Sequence, residues 1–335
     1  MSYSLAQWYI HGQADKPLRY GVTFIPNYAR HFGLDPKETM SAMVNDLGVR
    51  QFRLVSYWRE GEPTPGNYNF EELDWQFKLA EESGSKISLA IGLRQPRWPE
   101  CHMPAWAEQQ PMSVWSVELK KYMQKTIERY KDSPALESYQ LENEFFMKVF
   151  GICPDHTRER LVDEYNFVKS LDTEHPVIVS RSNNWIGLPL YAPRADTFAV
   201  SVYKRVWDKN ITKRYFEYPL PAWFYANLAG AGKIVTGRDM ILHELQAEPW
   251  LPEPGPNGKY EINDLATIEE QNKSMNADRL RDRIEYGRGT GMKEIYLWGA
   301  EWWYWRKVKA NDPSLWDVAR QEFKQTAEDN RKLTN

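Results

Sequence analysis

Eight short runs rich in β-branched and aromatic residues recur along the chain, longer amphipathic segments separate them, and composition does not shift between the two halves. These observations predict an α/β fold, a single-domain (β/α)8 TIM barrel with extended βα loops, because strands alternating with helices build a parallel sheet and eight of them close it. A barrel takes about 250 residues or more, so 335 residues fit one domain whose surplus lies in loops. Residues 1–18 read as an N-terminal extension and 313–335 as a C-terminal helix, with no low-complexity tract or Ser/Gly-rich linker between them.

The strands fall at 20–25, 51–56, 86–91, 138–141, 177–180, 197–202, 239–243 and 294–298, and helices at 36–47, 71–83, 115–131, 158–171 and 276–287. In the second helix Leu73, Phe77 and Ala80 recur at three- and four-residue spacing, giving one buried face, and Gly84 supplies a stop. Pro252, Pro254, Gly255, Pro256 and Gly258 have a linker's composition. They are read instead as a long loop after the seventh strand, since an eighth is still needed for closure.

Net charge is −3, and the 43 lysines and arginines are scattered without a basic stripe, which argues against nucleic acid and anionic lipid as partners. No stretch approaches the ~18 apolar residues of a membrane span, and the opening residues lack the apolar core of a signal peptide. The chain is therefore expected to be soluble, with no membrane contact of its own. The excess is aromatic, with 15 Trp and 19 Tyr, many beside Pro, Gly or charged residues. Such side chains either pack loops or stack on the apolar faces of sugar rings.

Reactive groups in barrels gather where strands end and βα loops begin. The fourth strand ends in Gln140-Leu141-Glu142-Asn143-Glu144 and the seventh in His243-Glu244-Leu245-Gln246, each delivering a carboxylate. Hydrolysis of a glycosidic bond needs one carboxyl to protonate the leaving oxygen and another to meet the oxocarbenium ion. In retaining enzymes the two stand about 5–5.5 Å apart. A lone glutamate is ordinarily a solvated surface residue; strand-end position singles out Glu144 and Glu244, with Glu142, Glu248 and Glu301 as competitors. The six histidines show no zinc spacing, so no metal is expected, and the two-carboxylate chemistry requires no cofactor.

At these residues the sequence resembles the clan A glycoside hydrolases, which carry Asn-Glu after strand four as the acid/base and Glu after strand seven as the nucleophile. Residues 58–70, Trp-Arg-Glu-Gly-Glu-Pro-Thr-Pro-Gly-Asn-Tyr-Asn-Phe, resemble the segment after strand two in family 35 and 42 β-galactosidases and several family 5 relatives. Pro104-Ala105-Trp106 and Gln140-Leu141-Glu142-Asn143-Glu144 are also similar to family 35. The resemblance implies a nucleophile in Glu244 and an acid/base in Glu144, whose pKa must be raised for that task. It further implies that Arg53 orients and keeps ionised the nucleophile, Asn143 bonds the sugar 2-hydroxyl, Tyr203 contacts the nucleophile, and Trp298 forms an aromatic floor. Trp58, Trp98, Trp185, Gln246 and Trp250 complete the expected substrate-binding set, although these tryptophans, like Trp302 and Trp303, equally suit loop packing. The chain departs from the pattern at residues 243–250, which lack the Thr-Glu-Phe-Gly of family 5, and strand eight differs from family 35.

The expected function is retaining hydrolysis of β-linked glucosides, galactosides or mannosides in an oligo- or polysaccharide. The rivals are a transglycosylase using the same residues and a carbohydrate-binding barrel without catalysis. A lyase or aldolase would want a strand-end lysine, and none is as cleanly placed as the two glutamates. Cys101 and Cys153 fall in loops after adjacent strands and are either bridged at the rim or buried and free. The compartment follows: extracytoplasmic if a leading segment was removed and the bridge forms, cytoplasmic otherwise.

Overall fold

The runs of buried residues do form parallel strands. A computed structural model describes residues 3–147, 153–182, 193–208, 211–252 and 267–334. The eight barrel strands are β1 (Arg19–Thr23), β2 (Gln51–Val55), β3 (Lys86–Ile91), β4 (Leu136–Leu141), β5 (Val177–Ser182), β6 (Thr197–Val202), β9 (Met240–Gln246) and β10 (Glu294–Trp298); β7 (Arg205–Asp208) and β8 (Arg214–Glu217) form a separate two-stranded sheet. The barrel is closed in the order β1-β10-β9-β6-β5-β4-β3-β2. Every residue of β2 is buried, as expected of a parallel strand covered on both faces.

The helix Glu71–Ser83 has the predicted bounds and buries Leu73, Phe77 and Ala80, and Gly84 ends it in the left-handed conformation. Three features lie outside the sequence-based expectation. The extension carries a helix, Tyr3–Gly12; the segment after β6 forms the antiparallel hairpin β7–β8; and the helix Ala222–Thr236 precedes β9. The C-terminal helix is Ser314–Thr334.

Contacts within the chain define two compact units, which are described separately. One comprises Met1–Val49, Ser201–Ala231 and Leu242–Asn335; the other comprises Arg50–Val200 and Gly232–Ile241. The second contains β2 to β5 and an apolar cluster of Ile178, Ala199 and Ile241. In the first, Leu245 of β9 and Ile295 of β10 lie against Gly287 of the helix Ala277–Gly289, where a Cβ would come within 2.8 Å and 3.3 Å of their side chains. That pair marks the helix-facing side of these strands.

Candidate active site

In the second unit, the end of β4 is built around one buried guanidinium. Arg53 is fully buried on β2; its Nε donates to Gln140 Oε1 at 2.6 Å and a terminal nitrogen donates to Asn143 Oδ1 at 2.7 Å. Gln140 Nε2 donates to the same Asn143 oxygen and to Ser180 Oγ, each at 3.0 Å, and Ser180 Oγ accepts the Glu144 amide at 3.0 Å. Because Arg can only donate, the Asn143 atom it meets must be the carbonyl oxygen, and the amide nitrogen forms the other end of the group. Arg53 thus orients Asn143.

The backbone here is unusual. Glu142 and Glu144 have φ of 54° and 43°, a region non-glycine residues seldom occupy, which costs on the order of 1–3 kcal/mol each. The Glu142 amide donates to Ile91 O at 3.0 Å and the Asn143 amide to Arg94 O at 2.7 Å, which fixes the turn. Glu142, buried, accepts the amides of Leu93 and Arg94 at 2.6 and 3.0 Å, and both terminal nitrogens of Arg160 at 3.1 and 3.3 Å. Gly92, at φ 102°, leaves room for this carboxylate, since a Cβ would stand 2.5 Å from Glu142 Oε1. Glu142 therefore ties the loop after β3 to the turn after β4. Arg160 also pairs with buried Glu164 at 2.5 Å, so one cation serves two acids, and burial raises Glu164 above the ordinary carboxylate range. Glu144, 4% exposed, ends the turn.

In the first unit, β9 carries an irregularity at the other glutamate. Leu242 pairs with Ile295 and Leu245 with Leu297, so two residues of β9 stand against one of β10. Such a bulge re-aims side chains. The two are His243, buried edge-on to Tyr296 at 4.9 Å, and Glu244, whose Oε2 accepts the Tyr203 hydroxyl at 2.7 Å. Tyr203 lies edge-on to Trp250 at 5.6 Å. Gln246 holds the adjoining backbone: its Oε1 accepts the amides of Lys204 and Arg205, both at 2.9 Å, and its Nε2 donates to Arg205 O at 2.6 Å. It is placed as a clamp on the segment bearing Tyr203. Glu248 accepts the Trp298 indole N–H at 2.8 Å and the Tyr28 hydroxyl at 3.0 Å, a geometry that fixes Trp298. Glu301 accepts the Ile25 amide at 2.7 Å.

The remaining aromatic residues divide. Trp58 has no exposed surface; its N–H donates to Glu62 at 2.7 Å and its ring meets Trp106 edge-on, a packing position. Trp302 and Trp303 are likewise buried, donating to Gln271 Oε1 and Ala247 O. Trp98 is 57% exposed on the loop after β3. Trp185 lies outside the described residues. Cys101 and Cys153 are joined as a disulfide with Cα atoms 5.1 Å apart. No cluster of three metal-ligating side chains occurs among the described residues. Gln140, Ser180, Arg160 and Tyr28 escaped the sequence reading. The first two lie in strands that are half polar, Leu136–Leu141 and Val177–Ser182, so neither stood out from its neighbours as a site residue.

No protein-family model matches the chain. It is 24% identical over 178 residues to the β-galactosidase Bga of Halorubrum lacusprofundi, a match covering 46% of this chain and 25% of that protein. The structure of the β-galactosidase from that haloarchaeon superposes with a TM-score of 0.60 at 14% identity, covering 92% of this chain and 58% of the other. A family 10 endo-β-1,4-xylanase from Gloeophyllum trabeum gives 0.57 at 13% identity, covering 92% and 97%, and endo-glycoceramidase II from Rhodococcus sp. gives 0.51 at 15%, covering 84% and 73%. The chain thus spans a quarter of the curated relative it matches, and its fold is the barrel shared by these glycoside hydrolases.

Proposed function

We propose that this chain is a retaining glycoside hydrolase acting on β-linked glucosides, galactosides or mannosides, with Glu244 as nucleophile and Glu144 as acid/base. The observation that carries the reading is the 2.7 Å hydrogen bond from Tyr203 to Glu244 at a bulged strand end. A phenol donating to one carboxylate oxygen fixes the orientation of the group at the strand end, as a nucleophile requires. The anomeric carbon bonds to Glu244 as the glycosidic C–O bond breaks, and the departing oxygen takes the Glu144 proton. Glu144, now a carboxylate, takes a proton from water as that water displaces Glu244 and restores both groups. The amide nitrogen of Asn143, oriented by Arg53, donates to the sugar 2-hydroxyl, while Trp298 and Trp250 present aromatic surface. The β-galactosidase likeness and the aromatic residues support a saccharide substrate.

A panel of aryl β-glycosides and polysaccharides tests this. Glu244→Gln and Glu144→Gln should each lose nearly all turnover on the best substrate, and an activated fluoro-sugar should label Glu244. Full activity in either variant, or labelling of Glu248, would remove the assignment.

A further inference from the structure

The chain that leaves Tyr203 runs into a group of four cations, all within the first unit: Lys204, Arg205, Arg279 and Arg283. Arg279 and Arg283 stand four residues apart on the helix Ala277–Gly289 and so share a face. Lys204 Nζ donates to the carbonyls of Tyr218 and Leu220 at 2.6 and 3.0 Å and lies 4.9 Å from the Tyr286 ring, whose hydroxyl donates to the same Leu220 oxygen at 2.9 Å. Arg205 Nε donates to Lys273 O at 2.8 Å. These bonds hold the cations in place without neutralising them.

Arg283 is the anomaly. It is 6% exposed, and its Nε has no hydrogen-bond partner among the described residues. The acids that act on it are Glu217, exposed and already 3.7 Å from Arg205, and Asp282. Burial, reinforced by Arg279 and opposed by Glu217, brings Arg283 down to about 10. Burial and Arg283 lower Lys204, and burial and Arg279 lower Arg205, each opposed by Glu217, so the cations act on one another in the pairs Lys204–Arg283, Arg205–Arg279 and Arg279–Arg283. Among the described residues, then, the buried guanidinium keeps an unused N–H donor and no close acid of its own, which is unfavourable, and a planar fork of N–H donors matches an oxyanion. We propose that Lys204, Arg279 and Arg283 form a binding site for a small oxyanion of the sulfate or phosphate class, with Arg283 as its buried anchor. The site stands independently of the glycosidase reading. Its ligand is either the free anion or the ester group of a sulfated or phosphorylated saccharide.

Calorimetric titration of the full chain with sodium sulfate and with sodium phosphate, in chloride buffer at constant ionic strength, tests the site. Saturable binding and a rising unfolding temperature are expected, and Arg283→Gln should weaken binding by about tenfold or more, the size of one lost charge-assisted hydrogen bond. Arg283→Met should unfold at a higher temperature than wild type in the sulfate-free buffer and show no sulfate response. Galactose 6-sulfate binding more tightly than inorganic sulfate, with galactose inert, identifies the ester; equal or weaker binding identifies the free anion. No saturable binding of either anion, unchanged binding by Arg283→Gln, or a lowered unfolding temperature for Arg283→Met in sulfate-free buffer would each overturn the proposal.

Discussion

At the residue scale, the two proposed catalytic glutamates are held by different means. Glu244 receives a side-chain hydrogen bond, whereas Glu144 is fixed through its backbone amide by Ser180. Tyr203→Phe removes the hydroxyl that donates to the Glu244 carboxyl, a loss of about 1.5–3 kcal/mol. It should lower kcat/KM by roughly 10- to 150-fold while lowering the unfolding temperature by no more than several degrees. Steady-state kinetics beside a thermal melt checks this, and undiminished kcat/KM would detach Tyr203 from the chemistry. Glu142 shows what sequence position leaves undecided. It sits two residues from Glu144 in the same motif, yet its partners come from Leu93, Arg94 and Arg160, distant in sequence.

At the element scale, the turn after β4 depends on the helix Arg158–Leu171, which supplies both Arg160 and Glu164. Glu164 is raised in the folded chain from 4.5 to about 8, so the native state retains a proton that the unfolded chain has released across that interval. Unfolding then releases a proton, and this group's contribution must fall as pH rises from 4.5 towards 8. Glu164→Gln keeps the neutral form and should remove that component. Denaturant unfolding of both proteins between pH 5 and about 8 should show wild type losing stability relative to the variant as pH rises; parallel curves would contradict the assignment. The element missed before β9 has a physical explanation too. Ala222–Thr236 buries Tyr225, Ala226 and Ala229 but leaves Ile234 and Val235 64% and 58% exposed, so apolar residues occupy more than one face and blur the 3.6-residue period.

At the scale of the whole molecule, the Cys101–Cys153 disulfide joins the loop after β3, which carries Trp98, to the segment following β4, closing 52 residues of chain. Loop-closure entropy for that length puts its contribution at about 2–4 kcal/mol. Cys101→Ser with Cys153→Ser should lower the unfolding temperature accordingly, and alkylation of the wild type without reductant should label neither cysteine. Two labelled thiols, or equal melts, would count against the bridge.

The strand runs, the helix Glu71–Ser83 and its Gly84 stop, and the strand-end positions of Glu144 and Glu244 were all readable along the chain. Each is a local pattern of burial and spacing that a few consecutive residues express. The bulge at Glu244, the division of labour between Glu142 and Glu144, the clamping by Gln246 and the burial of Trp58 were decided only by tertiary structure. They depend on which residues meet across tens of positions, such as Arg160 with Glu142 or Gln246 with the Lys204 amide, and hydrogen bonds of that kind leave no periodic trace in the sequence.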